Sequence, residues 1–203
     1  MKKSIIALSS VLLLAVTSCG SSKPTAEQQT ALLAGIGEEG VFGIASEELI
    51  TAMYSGEIVS GQEFEFSSDC IEGAIITSGT VTFTIEGSKL KDVEFKIVFD
   101  MNNCKVDIRD TNPDATICGK APIITIDGEL QLSGTTEELV MTGYFIEAIF
   151  DNKTFSCAGQ VTMDIDAEDA SNTGEICGTD ITVLETYLEE LAEPVAEQEF
   201  CEA

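Results

Sequence analysis

Val81-Thr82-Phe83-Thr84-Ile85-Glu86 is followed by Gly87-Ser88-Lys89 and then by Leu90-Lys91-Asp92-Val93-Glu94-Phe95-Lys96-Ile97-Val98-Phe99. Val81, Phe83 and Ile85 alternate with Thr82, Thr84 and Glu86. Val93, Phe95, Ile97 and Phe99 alternate with Glu94, Lys96 and Val98. A period of two with one polar face marks antiparallel strands that bury a single side. The short Gly-Ser-Lys connection makes the pair a hairpin. The pattern continues outward. Ile124, Ile126, Leu130 and Leu132 share one face of a strand, and Phe155, Cys157, Val161, Met163 and Ile165 share another. Ser133-Gly134-Thr135 and Asp151-Asn152-Lys153 supply further turns. Residues 139–150 are apolar on both faces, through Val140, Met141, Tyr144, Phe145, Ile146, Ile149 and Phe150, which suits a central strand or one covered by a helix. The expected fold is mainly β: an antiparallel meander, either an open sheet or an up-and-down barrel, with helices near both ends.

Two helices flank the strands. Ser46 can cap Glu47 to Ser55, with Leu49, Ile50, Met53 and Tyr54 on one face. Asp180 can cap a second, with Ile181, Leu184, Leu188 and Leu191 as its stripe and Pro194 as its stop. Both stripes suit core packing. Thr25 to Ala34 is a weaker helical stretch. Gly35, Gly37, Gly40 and Gly43 read as a flexible link, because no phosphate-loop Lys-Ser/Thr follows them.

The chain has 203 residues, 44% of them apolar, enough for one domain with a buried core. It carries 36 acids against 10 bases, a net charge of −26, and has neither histidine nor tryptophan. Without histidine there is no Ser-His-Asp triad, Cys-His pair or His-ligated metal. Without tryptophan the best stacking platform for a sugar or base is missing. The charge repels phosphate backbones, so nucleic acid is not an expected partner. Arg109 is the one arginine, which disfavours a guanidinium clamp.

The N-terminus reads as a targeting segment. Lys2 and Lys3 precede the mostly apolar 13-residue run from Ile5 to Thr17, too short for a span of about 20 residues. The run ends in Val16-Thr17-Ser18-Cys19, which resembles the lipobox of bacterial lipoproteins. The resemblance covers about residues 1–20. It implies cleavage before Cys19, acylation of its sulfur and its amino group, and anchoring in the bacterial cell envelope. The competing reading is an ordinary secretory signal with a chance cysteine. Several acyl chains, at roughly 0.8 kcal/mol per buried methylene, make a stable anchor. Gly20, in place of the aspartate that retains many such proteins in the inner membrane, implies the outer membrane. The expected organisation is a signal over 1–18, a lipidated flexible tether over 19–45, and one disulfide-braced domain over 46–203. Cleavage removes two lysines and no acid, so the remaining 185 residues would carry −28.

Beyond Cys19 lie Cys70, Cys104, Cys118, Cys157, Cys177 and Cys201. An even number in an exported chain points to disulfides, and no CxxC supports a zinc or redox site. Residues 70–117 and 118–176 look like a duplication. Each begins at a cysteine followed by Ile-Ile-Thr, passes a Phe-Asp, and ends at Ile-Cys-Gly. On hairpin geometry the expected pairs are Cys104–Cys118 and Cys157–Cys177, leaving Cys70–Cys201. The rival is sequential pairing: Cys70–Cys104, Cys118–Cys157 and Cys177–Cys201.

Asp164, Asp166, Glu168 and Glu175 partly mimic a calcium loop, with Asp169 where glycine belongs. The alternative is a solvated acidic turn, and no other cofactor is expected. Asp107, Asp110 and Asp114 hold the corresponding place in the first unit. Three functions compete: a non-enzymatic envelope lipoprotein with a structural or protein-interaction role, a carrier of lipid or another apolar ligand, and a carboxylate hydrolase. The first is preferred, and the chain is not expected to be an enzyme. A carrier needs a cavity lined by residues such as Phe83, Phe95, Phe99, Tyr144 and Phe145. A structural protein fills its core with them. A hydrolase needs two carboxylates in a cleft, one with a raised pKa. The protein partner or apolar ligand is not legible from the chain.

Overall fold

The computed structural model describes residues 23–37, 40–86, 89–110, 113–135, 138–164 and 171–201. The chain begins with two helices, α1 (Ala26–Ile36) and α2 (Val41–Ser55). Eight strands follow: β1 (Glu63–Asp69), β2 (Glu72–Glu86), β3 (Lys89–Asp107), β4 (Ile123–Thr135), β5 (Glu138–Phe150), β6 (Lys153–Asp164), β7 (Ser171–Ile176) and β8 (Thr179–Asp180). Helix α3 (Ile181–Glu189) and three short 3₁₀ turns complete the described chain. The strands form one sheet in sequence order, each antiparallel to the next. The sheet is open, with β1 at one edge and β8 at the other. The meander and the helices at both ends follow the expected pattern.

The alternation explains the layering. Ile75, Val81, Ile97, Phe99, Met101, Ile124, Ile126, Leu130, Phe145, Phe150 and Val161 are buried on one face. The opposite face is largely Ser, Thr and acid. Ser78, Val98, Gln131, Thr142, Gln160 and Glu175 stand in one cross-strand row of it. Strand β5 is interior to the sheet, as its apolar character suggests. Its outer face is nevertheless open, with Tyr144 57% and Ile146 76% exposed. Bulges interrupt the β3–β4, β4–β5 and β5–β6 ladders, and such bulges bend and twist strands. Gly128, beside one of them, has φ +155°, and a Cβ there would lie 2.3 Å from the Tyr144 carbonyl oxygen. Only glycine fits.

The tether expected over 19–45 is corrected from Ala26 onward. Helix α1 is buried from Gln28 to Ile36, packed against β4, β5, α2, α3 and the C-terminal turns. Thr25 caps it in a capping box with Gln28. The burial was hidden because Gln28, Gln29 and Thr30 look like a solvated segment. Thr30 returns its hydroxyl to the Ala26 carbonyl at 2.9 Å. Gln29 Nε2 donates to the Pro24 carbonyl at 3.0 Å. Gly35 belongs to α1 rather than to a link. A Cβ there would come within 2.4 Å of Ile124 Cγ2, so glycine permits the helix–sheet approach.

Helix α2 also begins earlier than expected. Gly40 is its N-cap, and Ser46 lies inside, donating to the Gly43 carbonyl at 3.2 Å. The helix covers part of β1, β2 and β3. Asp180 caps α3 as expected, accepting from the Thr182 N–H at 2.9 Å. Ile181, Leu184 and Leu191 are buried and Leu188 half-buried. The expected duplication does not carry into the strands. Residues 72–107 form two strands, whereas 123–176 form four. The aligned Ile75 and Ile123 point to opposite faces of the sheet, since Ile75 is buried and it is Ile124, not Ile123, that joins the core. A one-residue offset inverts a strand's faces, so the shared letters are not a shared structure.

Candidate functional site

Cys19, the expected lipidation residue, lies outside the described residues, as do Asp166 and Glu168. The other six cysteines form three disulfides: Cys70–Cys104, Cys118–Cys201 and Cys157–Cys177, with Cα separations of 5.4, 5.5 and 5.0 Å. Cys157–Cys177 matches the hairpin expectation, and the Cys177 N–H donates to the neighbouring Ala158 carbonyl at 3.0 Å. The Cys104–Cys118 and Cys70–Cys201 pairs are corrected: Cys104 joins Cys70, as in the sequential alternative, and Cys118 joins Cys201. Strand β3 runs past Cys104 to Asp107, so Cys104 faces Ile126 across the ladder, and Cys118 sits outside it in a tight turn closed by Ile117 and Lys120. Cys70 occupies the β1–β2 connection. The Ile71 N–H donates to the Lys105 carbonyl at 3.0 Å, which brings Cys70 beside Cys104.

Cys118 faces the C-terminal turns instead. Gln198, 1% exposed, organises that junction. Its Oε1 accepts the Cys118 N–H at 2.9 Å, and its Nε2 donates among the carbonyls of Thr116, Glu190 and Glu193 at 3.0–3.2 Å. Phe200 is buried and its ring lies tilted against that of Tyr187, centroids 5.3 Å apart. Beside it, Lys120 pairs with Glu27 of α1 and, at 3.1 Å, with Asp151 in the β5–β6 turn. The Glu27 carboxylate foremost, then Asp151, holds the Lys120 ammonium above its usual pKa range.

Of the four calcium candidates, Asp164 and Glu175 are the two among the described residues. Asp164 pairs with Ser171 and Glu175 with Gln160, four ladder positions apart, or about 13 Å along the strands. Among the described residues no three acids or cysteines are grouped as a metal site. Asp107 is paired with Arg109 at 2.5 Å, and that hydrogen bond holds its carboxyl below the usual range. Asp180 is likewise lowered, by the Thr182 hydroxyl and N–H. A general acid needs a shift in the other direction.

Of the five aromatics expected to line a carrier cavity, Phe99 and Phe145 are buried, Phe83 and Phe95 are half-buried against the core, and Tyr144 is exposed on the outer face. An apolar cavity bounded by Ile36, Leu130, Met141, Phe145, Val161 and Ile176 measures about 10 Å³, one water at most. A wider groove of about 540 Å³ opens between α2 and the sheet edge. Ile44, Ala52 and Phe66 line it with Glu47, Glu48 and Glu57. Glu48 accepts a hydrogen bond from Ser68 of β1 at 2.6 Å, which fixes α2 over that strand. Among the described residues no helix is long and apolar enough to cross a membrane.

These features define a class: a disulfide-braced, open antiparallel meander packed on three helices. No known protein family matches the chain, and no curated protein or solved structure is detectably similar to it.

Proposed function

We propose that the chain is a non-enzymatic, lipid-anchored protein of the bacterial outer membrane that works through its surface, as a structural or protein-interaction module. The observation that carries this reading is the packing of α1 onto the sheet among the described residues. Helix α1 places Leu32, Leu33 and Ile36 against the apolar side of the sheet, where a carrier would hold its ligand. A volume of about 10 Å³ under that helix is far too small for a lipid chain. Three disulfides and the Gln198 junction brace the shell, which suits an oxidising compartment outside the cytoplasm. The lipobox-like Val16-Thr17-Ser18-Cys19 supplies the anchor.

Membrane fractionation tests the anchor. The chain should sediment with outer-membrane lipid, and the Cys19→Ala variant should be released or accumulate unprocessed without acyl label. A Cys19→Ala chain that stays tightly bound and correctly cleaved would remove the lipid-anchor reading. Native mass spectrometry of the detergent-extracted chain should give a mass six hydrogens below the reduced form, with no further ligand. A lipid-sized mass shed on denaturation would replace the surface reading with the carrier.

A further inference from the structure

The two edges of the sheet differ. The β7–β8 edge is short, runs directly into α3, and is packed against it, with Asn172 bonded to Glu185 of that helix. The β1 edge is seven residues long and, among the described residues, pairs only with β2. Alternate residues of an antiparallel edge strand turn their N–H and C=O groups away from the sheet. Among the described residues nothing accepts or donates to those groups of Glu63–Asp69. The strand carries no lysine, proline or bulge; its edge guards are the charges of Glu63, Glu65 and Asp69, which repel an acidic strand but not a basic one.

Its side chains sort by face. Glu63, Glu65 and Asp69 are exposed on one face, while Phe64 and Phe66 share the other, their rings stacked at 5.8 Å, and Phe66 lines the α2 groove. Lys96, which lines the outer side with Glu63 and Glu65, pairs with Glu94 at 3.7 Å. Glu47 and Glu57 add negative charge at the groove. A second copy of this strand would set acid against acid, so the edge selects against itself. Residues opposite each other on paired strands share a face. A complementary strand therefore carries basic residues opposite the glutamates and apolar ones opposite the phenylalanines.

We infer that β1 is a docking edge for an extended segment of another protein with alternating basic and apolar residues, added as a ninth strand whose apolar side chains enter the groove between α2 and Phe66. The inference rests on the surface-interaction reading above. Main-chain pairing supplies the affinity, and the charge pattern supplies the selection.

The test uses the full lipidated chain in non-ionic detergent micelles and seven-residue peptides, one alternating lysine with valine and one alternating glutamate with valine. The lysine peptide should bind, weaken as sodium chloride rises from about 50 to about 500 mM, and slow amide exchange within 63–69. The glutamate peptide should not bind. The Glu63→Lys, Glu65→Lys double variant, with its three disulfides intact, should lose the lysine peptide by roughly tenfold or more and accept the glutamate peptide. If that variant fails to fold, Glu63→Gln with Glu65→Gln should show an intermediate loss. Binding without protection in 63–69, or binding unchanged in the variants, overturns the inference. Failure here with Cys19-dependent membrane retention intact leaves the anchor standing and removes only the docking edge.

Discussion

Thr77 lies in the middle of β2, paired with Phe99, fully buried, and its hydroxyl has no hydrogen-bond partner among the described residues. A buried hydroxyl without a partner costs about 1–3 kcal/mol, while valine keeps the shape. Thr77→Val should therefore raise unfolding stability by about 1 kcal/mol in urea titration, and a loss would point to a bound water. Lys120 is the opposite case, a charge with two partners. Its raised pKa means that its contribution is complete below the usual lysine range and disappears as pH climbs through the folded value. Its head is partly solvated, so screening limits the pair to about 0.5–1 kcal/mol. Lys120→Met should cost that much at pH 7 and show a smaller difference from the parent above pH 11. Neither residue's role was legible in sequence. Thr77 looks like any strand threonine, and the partners of Lys120 lie 93 residues before it and 31 after it.

At the scale of elements, alternation located the strands because burial repeats every second residue within a few positions. The cap at Asp180 was equally local. The burial of α1 is not legible in its residues, because its polar first turns satisfy themselves through Thr30 and Gln29 while being covered by other elements. The cysteines were misjudged for a related reason. Only Cys157 and Cys177, 20 residues apart, lie close enough in the meander for local turn geometry to pair them. The other bridges close separations of 34 and 83 residues. Loop entropy then ranks the three. Removing both cysteines of the Cys118–Cys201, Cys70–Cys104 and Cys157–Cys177 pairs should cost about 4.6, 3.8 and 3.3 kcal/mol respectively. Guanidinium denaturation of the three double-alanine variants gives the order, and non-reducing peptide mapping checks the pairing.

At the scale of the whole molecule, the net charge of −26 opposes compaction. The described ion pairs, such as Lys105 with Glu72 at 2.6 Å, neutralise few of the 36 acids. Screening that repulsion should stabilise the fold. Raising sodium chloride from about 20 to about 300 mM should add roughly 1 kcal/mol, or about 2–4 °C in Tm, by calorimetry. A fall in Tm over that range would mean that attractive pairs outweigh the self-repulsion.

The residues by themselves determined the β period, the turns, the even cysteine count beyond Cys19 and the absence of histidine chemistry, because each depends on neighbours within a few positions or on composition. The tertiary structure alone decided which cysteines meet, that α1 packs on the apolar side of the sheet, that the sheet stays open and that β1 is, among the described residues, an edge strand with one neighbour. Those outcomes depend on which elements compete for the same apolar face. That competition is settled by packing between segments tens of residues apart, which no local pattern records.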